Sequence, residues 1–211
     1  MIELNLIGPL KAPTGYGTHV DSLEKELIKL AEVNSYHVND SFDKIKDLPT
    51  IMIWHGENLN LILDKIEDKV SIKNRIAYPV WELDNISFSF KNNLSKCSTV
   101  FVTHQYFKDV LDKHAEFNGD ILTVPEGVDL NFFKYNNRKT QYESNYRAVI
   151  NIGKFEVRKG HLEILKLAKA TSDKFTLDYN LLWHNPFISE EEITRTVKDF
   201  GFYYTGPITD N

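Results

Sequence analysis

The feature that most constrains this chain is an alternation in which short apolar, β-prone runs are separated by stretches of helical periodicity. Residues 2–7 form the first run. In residues 18–33 Val20, Leu23, Leu27, Leu30 and Ala31 then recur at helical spacing, opposite Asp21, Glu24, Lys25 and Lys29. Further runs at 50–54, 75–80, 99–102 and 121–124 read as strands, with helices expected at 58–66, 87–94 and 105–113 between them. Several strands are apolar throughout, the pattern of a mainly parallel sheet covered on both faces by helices.

The expected class is therefore α/β, with a Rossmann-like N-terminal domain over residues 1–133. Residues 134–146 read as a linker, because the stretch from Phe132 to Tyr146 is polar and Asn-rich and has no apolar period. From 147 the alternation resumes. A strand is expected at 147–152 and a polar turn at 153–160. A helix at 161–170 offers Leu162, Leu165, Leu167 and Ala168 for burial, and a strand follows at 175–183. Ser189 reads as an N-cap ahead of Glu190, Glu191 and Glu192, and a last strand is expected at 202–205. Three strands are fewer than the roughly four to six of an open doubly wound sheet. Residues 147–211 are thus expected to be the first part of a second Rossmann-like domain, whose apolar edge invites a partner or self-association.

Composition narrows the function classes. Across 211 residues, 25 Lys and Arg stand against 30 Asp and Glu, a formal charge of −5, so no basic field favours a nucleic-acid partner. The single cysteine, Cys97, allows no intrachain disulfide and no thiolate-rich metal site. The first residues carry no basic leader or cleavage signal, so a cytoplasmic location is expected. No apolar run approaches the roughly 20 residues of a membrane span, leaving only peripheral membrane contact.

Two segments carry candidate chemistry. Ala12-Pro13-Thr14-Gly15-Tyr16-Gly17-Thr18 lies between the first strand and helix, where backbone amides and a helix dipole meet a ligand. Gly15 and Gly17 permit close approach, the alternative being a tight turn that needs positive φ. No third glycine completes a dinucleotide fingerprint, and no partner acid after the second strand can be placed, which disfavours an NAD-type oxidoreductase. In the second segment the strand reaching Ile152 runs into Gly153. Lys154, Arg158 and Lys159 follow, and then Gly160 and a helix. Cations and helix amides converging at a strand's carboxyl end suit a diphosphate, the alternative being a solvated basic turn. His55, ending an apolar strand, reads first as a satisfied structural histidine, and Glu126 and Asp129 as organisers of a turn. No clustered His and Asp spacing points to a metal, and no other cofactor is expected.

The stretch Asn151-Ile152-Gly153-Lys154-Phe155-Glu156-Val157-Arg158-Lys159-Gly160-His161 resembles the opening of the nucleotide-sugar half of GT-B glycosyltransferases, specifically the large retaining family four. Other landmarks fall in the same order. TGYGTHV (14–20) resembles that family's N-terminal glycine loop, and SKCSTVFVTHQYFKDVL (95–111) its strand and helix. VPEGVDLNFF (124–133) resembles the segment at its domain linker, and YPVWELDNIS (78–87) is similar to a Trp-Glu segment of some members. The similarity spans nearly the whole chain.

The resemblance implies a GT-B-like fold and transfer of a sugar from a nucleotide diphosphate sugar to a glycan, lipid or other acceptor. It implies that Lys154 and Lys159 stabilise the diphosphate leaving group, with Arg158 assisting or facing solvent. Gly15 and Gly17 would lie against the donor phosphates or the acceptor. Glu82 stands near where many members have a histidine beside the transferred sugar, and a buried structural carboxylate is the alternative. Family members carry a donor-binding pair of glutamates further along, and a chain ending at Asn211 reads as stopping just before it. A non-catalytic sugar- or protein-binding module derived from a glycosyltransferase is accordingly the second reading.

Overall fold

The computed structural model of the protein describes residues 2–81, 83–131, 133, 147–171, 177–184 and 188–201. The chain divides into two units, Met1–Lys134 and Tyr135–Asn211. The first unit runs β1 (Ile2–Gly8), α1 (Gly15–Leu27), β2 (Ala31–His37), β3 (Thr50–Met52), α2 (Asn60–Ile66), β4 (Arg75–Ala77), α3 (Phe88–Leu94), β5 (Thr99–Val102), α4 (Gln105–His114) and β6 (Asp120–Thr123). All neighbouring strands are parallel, in the order β2-β1-β3-β4-β5-β6. This is a Rossmann-like α/β sheet.

The strand order dictates where the helices lie. The β1-to-β2 crossover steps one way along the sheet and all later crossovers step the other way. Right-handed connections therefore put α1 on one face and α2, α3 and α4 on the opposite one. The core divides accordingly, since successive strand residues point to opposite faces. Leu4, Leu6, Ile51, Ile53 and Tyr78 pack with Val20 of α1. Ile7, Met52 and Val100 pack with Ile62, Leu63, Phe90, Phe107 and Leu111 on the other side. Fully burying one such aliphatic side chain contributes about 1.5–3 kcal/mol.

Helix α1 is not the helix expected at 18–33. It starts three residues earlier, at Gly15, and ends at Leu27, and Ala31 already opens β2. Leu30, expected on the buried face, is 77% exposed. The helical spacing of Leu30 and Ala31 was coincidental, and β2 was hidden because it is an edge strand hydrogen-bonded only to β1. Its sequence, Ala-Glu-Val-Asn-Ser-Tyr-His, has no continuous apolar run. Two buried polar side chains hold connections in place. Arg75, 4% exposed, donates to the carbonyls of Val70 (2.9 Å), Glu67 (2.8 Å) and Lys96 (3.3 Å), capping the end of α2. Asn93 Nδ2 donates to the carbonyls of Gly56 (2.9 Å) and Glu57 (3.1 Å), fixing the turn after β3.

The second unit contains β7 (Arg147–Lys154) paired in parallel with β8 (Leu177–His184), together with α5 (His161–Thr171) and α6 (Glu190–Asp199). Ser189 caps α6 by accepting from the Glu192 N–H at 3.2 Å, ahead of a first turn of three glutamates that complement the helix dipole. Leu165, Ile193 and Val197 form its buried cluster. Of the α5 residues expected to be buried, Leu165 and Ala168 are, whereas Leu162 and Leu167 are exposed. His161, Leu165 and Ala168 make the single inward stripe at i, i+4 and i+7. The expected linker at 134–146 and strand at 202–205 lie outside the described residues. Among the described residues no helix is long and apolar enough to cross a membrane.

Candidate functional site

In the first unit the strand order reverses between β1 and β3, so the segments leaving these strands diverge at their carboxyl ends, the place where open α/β sheets receive ligands. From β1 the chain passes to Thr14, which caps α1 by accepting from the Gly17 N–H at 3.2 Å. Gly15 and Gly17 lie in the first turn of α1 rather than in a loop. The described glycines with positive φ are Gly160 and Gly201, so the tight-turn reading of Gly15 and Gly17 is corrected. The two glycines differ in what surrounds them. A Cβ on Gly17 would overlap the Ala12 carbonyl, whereas one on Gly15 would meet nothing within 4 Å.

Between these glycines stands Tyr16, a residue the spacing of glycines drew attention away from. Its ring centre is 5.9 Å from that of Trp54, and its hydroxyl donates to the Val80 carbonyl at 3.4 Å. Trp54 and His55 follow β3, and Gly56 turns the chain. The turn is tight because Gly56 packs on the buried ring of Phe90, where a Cβ would collide. His55 lies 5.7 Å from Trp81, whose indole N–H donates to the Asn85 carbonyl at 2.9 Å. Nε1 of Trp54 and Nδ1 of His55 are both buried with no hydrogen-bond partner among the described residues. The satisfied structural histidine expected at position 55 is therefore not what the fold holds. Each such orphan costs about 1–3 kcal/mol. Glu82 lies outside the described residues.

His19 in the second turn of α1 packs edge-on against Tyr78 at 4.8 Å and faces Glu126. Burial pushes the His19 imidazole below its ordinary range, and the Glu126 charge opposes this. The Tyr78 hydroxyl, which donates to the Val124 carbonyl at 2.6 Å, is pushed up to about 12 by burial and, less strongly, by Glu126. Glu126 thus reaches α1 rather than only organising a turn. Asp129 does both, accepting from the Asn131 N–H at 2.8 Å and pairing with Lys25 at 3.3 Å.

In the second unit Gly153 and Lys154 end β7, a 3-10 turn spans Val157–Lys159, and α5 begins at His161. Gly160, at φ 68°, takes the left-handed conformation that lets the turn reverse into the helix. His161 is buried, and its Nε2 lies 2.7 Å from the Lys154 carbonyl, tying the end of the strand to the start of the helix. Burial pushes its imidazole below the usual range. The three cations are not equivalent. Glu156 lies 3.5 Å from Lys154 and 2.9 Å from Arg158, whereas Lys159 is exposed and makes no ion pair among the described residues. Burial works against the charged form of Glu156, but Lys154 and Arg158 outweigh it and hold the carboxyl below its ordinary range. Sequence spacing did not reveal that Glu156 would draw two of these cations.

Cys97 is buried, and burial pushes its thiol up to about 12, so it stays a protonated core residue. Among the described residues no group of three or more His, Cys, Asp or Glu side chains could hold a metal ion. No protein-family model matches this chain, and no curated protein matches it.

Proposed function

We propose that this protein is a glycosyltransferase of GT-B type, which moves a sugar from a nucleotide diphosphate sugar to a glycan, lipid or other hydroxyl-bearing acceptor. The observation that carries the reading is the turn from Gly153 to Gly160, with Lys154 ending β7 and Lys159 entering α5. A strand's carboxyl end, a left-handed glycine and a helix start follow one another here, and such a turn suits a diphosphate, which cationic side chains and backbone N–H groups can grip. As the bond from sugar C1 to the diphosphate oxygen breaks, negative charge builds on the leaving phosphate, and fixed positive charge there lowers the barrier. Lys159 is the principal cation. Lys154 and Arg158 contribute less because the Glu156 carboxylate offsets part of their charge, and the His161 clasp on Lys154 fixes the turn's shape. The ordered resemblance of four further segments to retaining family four supports the same reading.

Isothermal titration with UDP, GDP and their sugars tests it. Saturable heat whose affinity falls about tenfold in Lys159→Ala is the expected result, and no heat with any nucleotide would overturn it.

A further inference from the structure

At the amino ends of β5 and β6, the opposite end of the sheet from Trp54 and His55, lies a cavity of about 430 Å³. Lys91, Ser95 and Ser98 line it from the end of α3 and the turn into β5. Glu116, Asn118 and Asp120 line it from the connection between α4 and β6, and Cys97, Ala115 and Phe117 add apolar surface. Gly119 lets the two connections approach, because a Cβ there would overlap the Ser98 carbonyl and the Phe117 ring. The Asp120 N–H donates to that same carbonyl at 3.0 Å.

The charges around the cavity are complementary yet unjoined. Among the described residues none of Lys91, Glu116 and Asp120 makes an ion pair, so the Lys91 ammonium stands more than 4.0 Å from both carboxylates. Lys96 nearby, by contrast, pairs with Asp64 at 3.0 Å. Glu116 has φ 52°, the left-handed conformation that favours glycine, directly after the Ala115 cap of α4. Its side chain is exposed, so packing does not offset that backbone strain. The hydroxyls offer acceptors. Ser95 Oγ already donates to the Asn92 carbonyl at 2.8 Å and Ser98 Oγ to the Lys73 carbonyl at 3.0 Å, which leaves their lone pairs. Helices α3 and α4 both end here, and the negative ends of their dipoles add to the two carboxylates. A phosphate, a nucleotide or a dicarboxylate would meet a field of the wrong sign. A ligand with two cationic groups and one carboxylate matches the lining in number and sign.

We propose that this cavity binds a basic α-amino acid: lysine, ornithine or arginine. The ligand's carboxylate pairs with Lys91, its α-ammonium and side-chain cation pair with Glu116 and Asp120, and its methylene chain lies on Phe117. The proposal does not depend on the glycosyltransferase reading, whose cationic turn belongs to the other unit.

Calorimetric titration of the full chain with L-lysine, L-ornithine and L-arginine tests it. Norleucine, which lacks the side-chain cation, and cadaverine, which lacks the carboxylate, are titrated beside them. Saturable heat is expected with at least one basic amino acid at a Kd of about 1 mM or tighter, with norleucine and cadaverine about tenfold weaker or more. Lys91→Met should weaken amino-acid binding about tenfold, the scale of one charge-assisted contact, and should not weaken cadaverine. Asp120→Asn should weaken the amino acid by a similar factor. Urea midpoints establish that each variant folds, and Lys91→Gln carries the test where the methionine variant does not. No saturable heat with any of the three, norleucine or cadaverine binding as tightly as the best of them, or unchanged affinity in either variant would overturn the proposal.

Discussion

Nδ1 of His19 lies 3.0 Å from Oε1 of Glu126, a contact that is close but not aligned as a hydrogen bond, so it acts through charge. Two turns further along α1, Lys25 meets Asp129 at 3.3 Å. Together they fasten the segment that leaves β6 along the helix that begins at the glycine turn.

The first prediction concerns titration of His19. Burial should hold its imidazole pKa below the ordinary 6.5, and Glu126→Gln should lower it further by removing the charge that opposes burial. The consequence for stability has a definite sign. A lowered folded-state pKa means the unfolded chain binds the extra proton first, so the His19 contribution is complete above about 6.5 and is lost as pH falls through the folded value. Ring-proton NMR shifts followed against pH check this. A His19 titrating at or above 6.5 would contradict it.

A second prediction contrasts two glycines in the same helical turn. Gly15→Ala meets open space and should leave stability unchanged or raise it by up to about 1 kcal/mol through helix propensity. Gly17→Ala drives a methyl group into the Ala12 carbonyl and should cost about 2 kcal/mol or more. Urea midpoints of the two variants separate these outcomes, and equal effects would show that the turn is looser than described.

Arg75→Met keeps most of the side-chain volume but removes three donors to the carbonyls of Glu67, Val70 and Lys96. Because these acceptors are then left without their partner in a largely buried setting, a loss of about 3 kcal/mol is expected in equilibrium unfolding. A loss within error of zero would mean water replaces the guanidinium.

The cationic turn gives a fourth prediction. Lys159→Ala should weaken UDP or GDP binding about tenfold, the scale of one charge-assisted contact, whereas Arg158→Ala should change it by less than about threefold, because Arg158 already pairs with Glu156. Glu156→Gln should strengthen binding by removing the carboxylate charge that faces both Lys154 and Arg158. Calorimetric titration of the three variants reads the order directly, and Arg158→Ala proving the most damaging would reassign the principal cation.

Much of the fold was legible because burial leaves a periodic trace. Apolar runs marked β3, β4 and β5, and Ser189 announced the cap of α6. The edge strand β2 was not legible. With a single neighbour and polar residues it leaves no such trace, and Leu30 beside it mimicked a continuing helix. The cationic turn was found by spacing. The aromatic contacts of Tyr16 with Trp54 and of His55 with Trp81 were not, because each joins residues far apart in the chain that meet only where β1 and β3 diverge.

By itself, then, the order of residues determined the alternation of strands and helices, the caps and the placing of cations after β7, since these depend on neighbours within a few positions. The tertiary structure alone decided which side chains are satisfied. Among the described residues Glu156 draws two cations and Lys159 makes no ion pair, and His19 finds Glu126 across more than a hundred residues while Nδ1 of His55 and Nε1 of Trp54 find no polar partner. Hydrogen bonds and ion pairs depend on distances of a few ångströms between side chains, which exist only once the sheet has brought remote segments together.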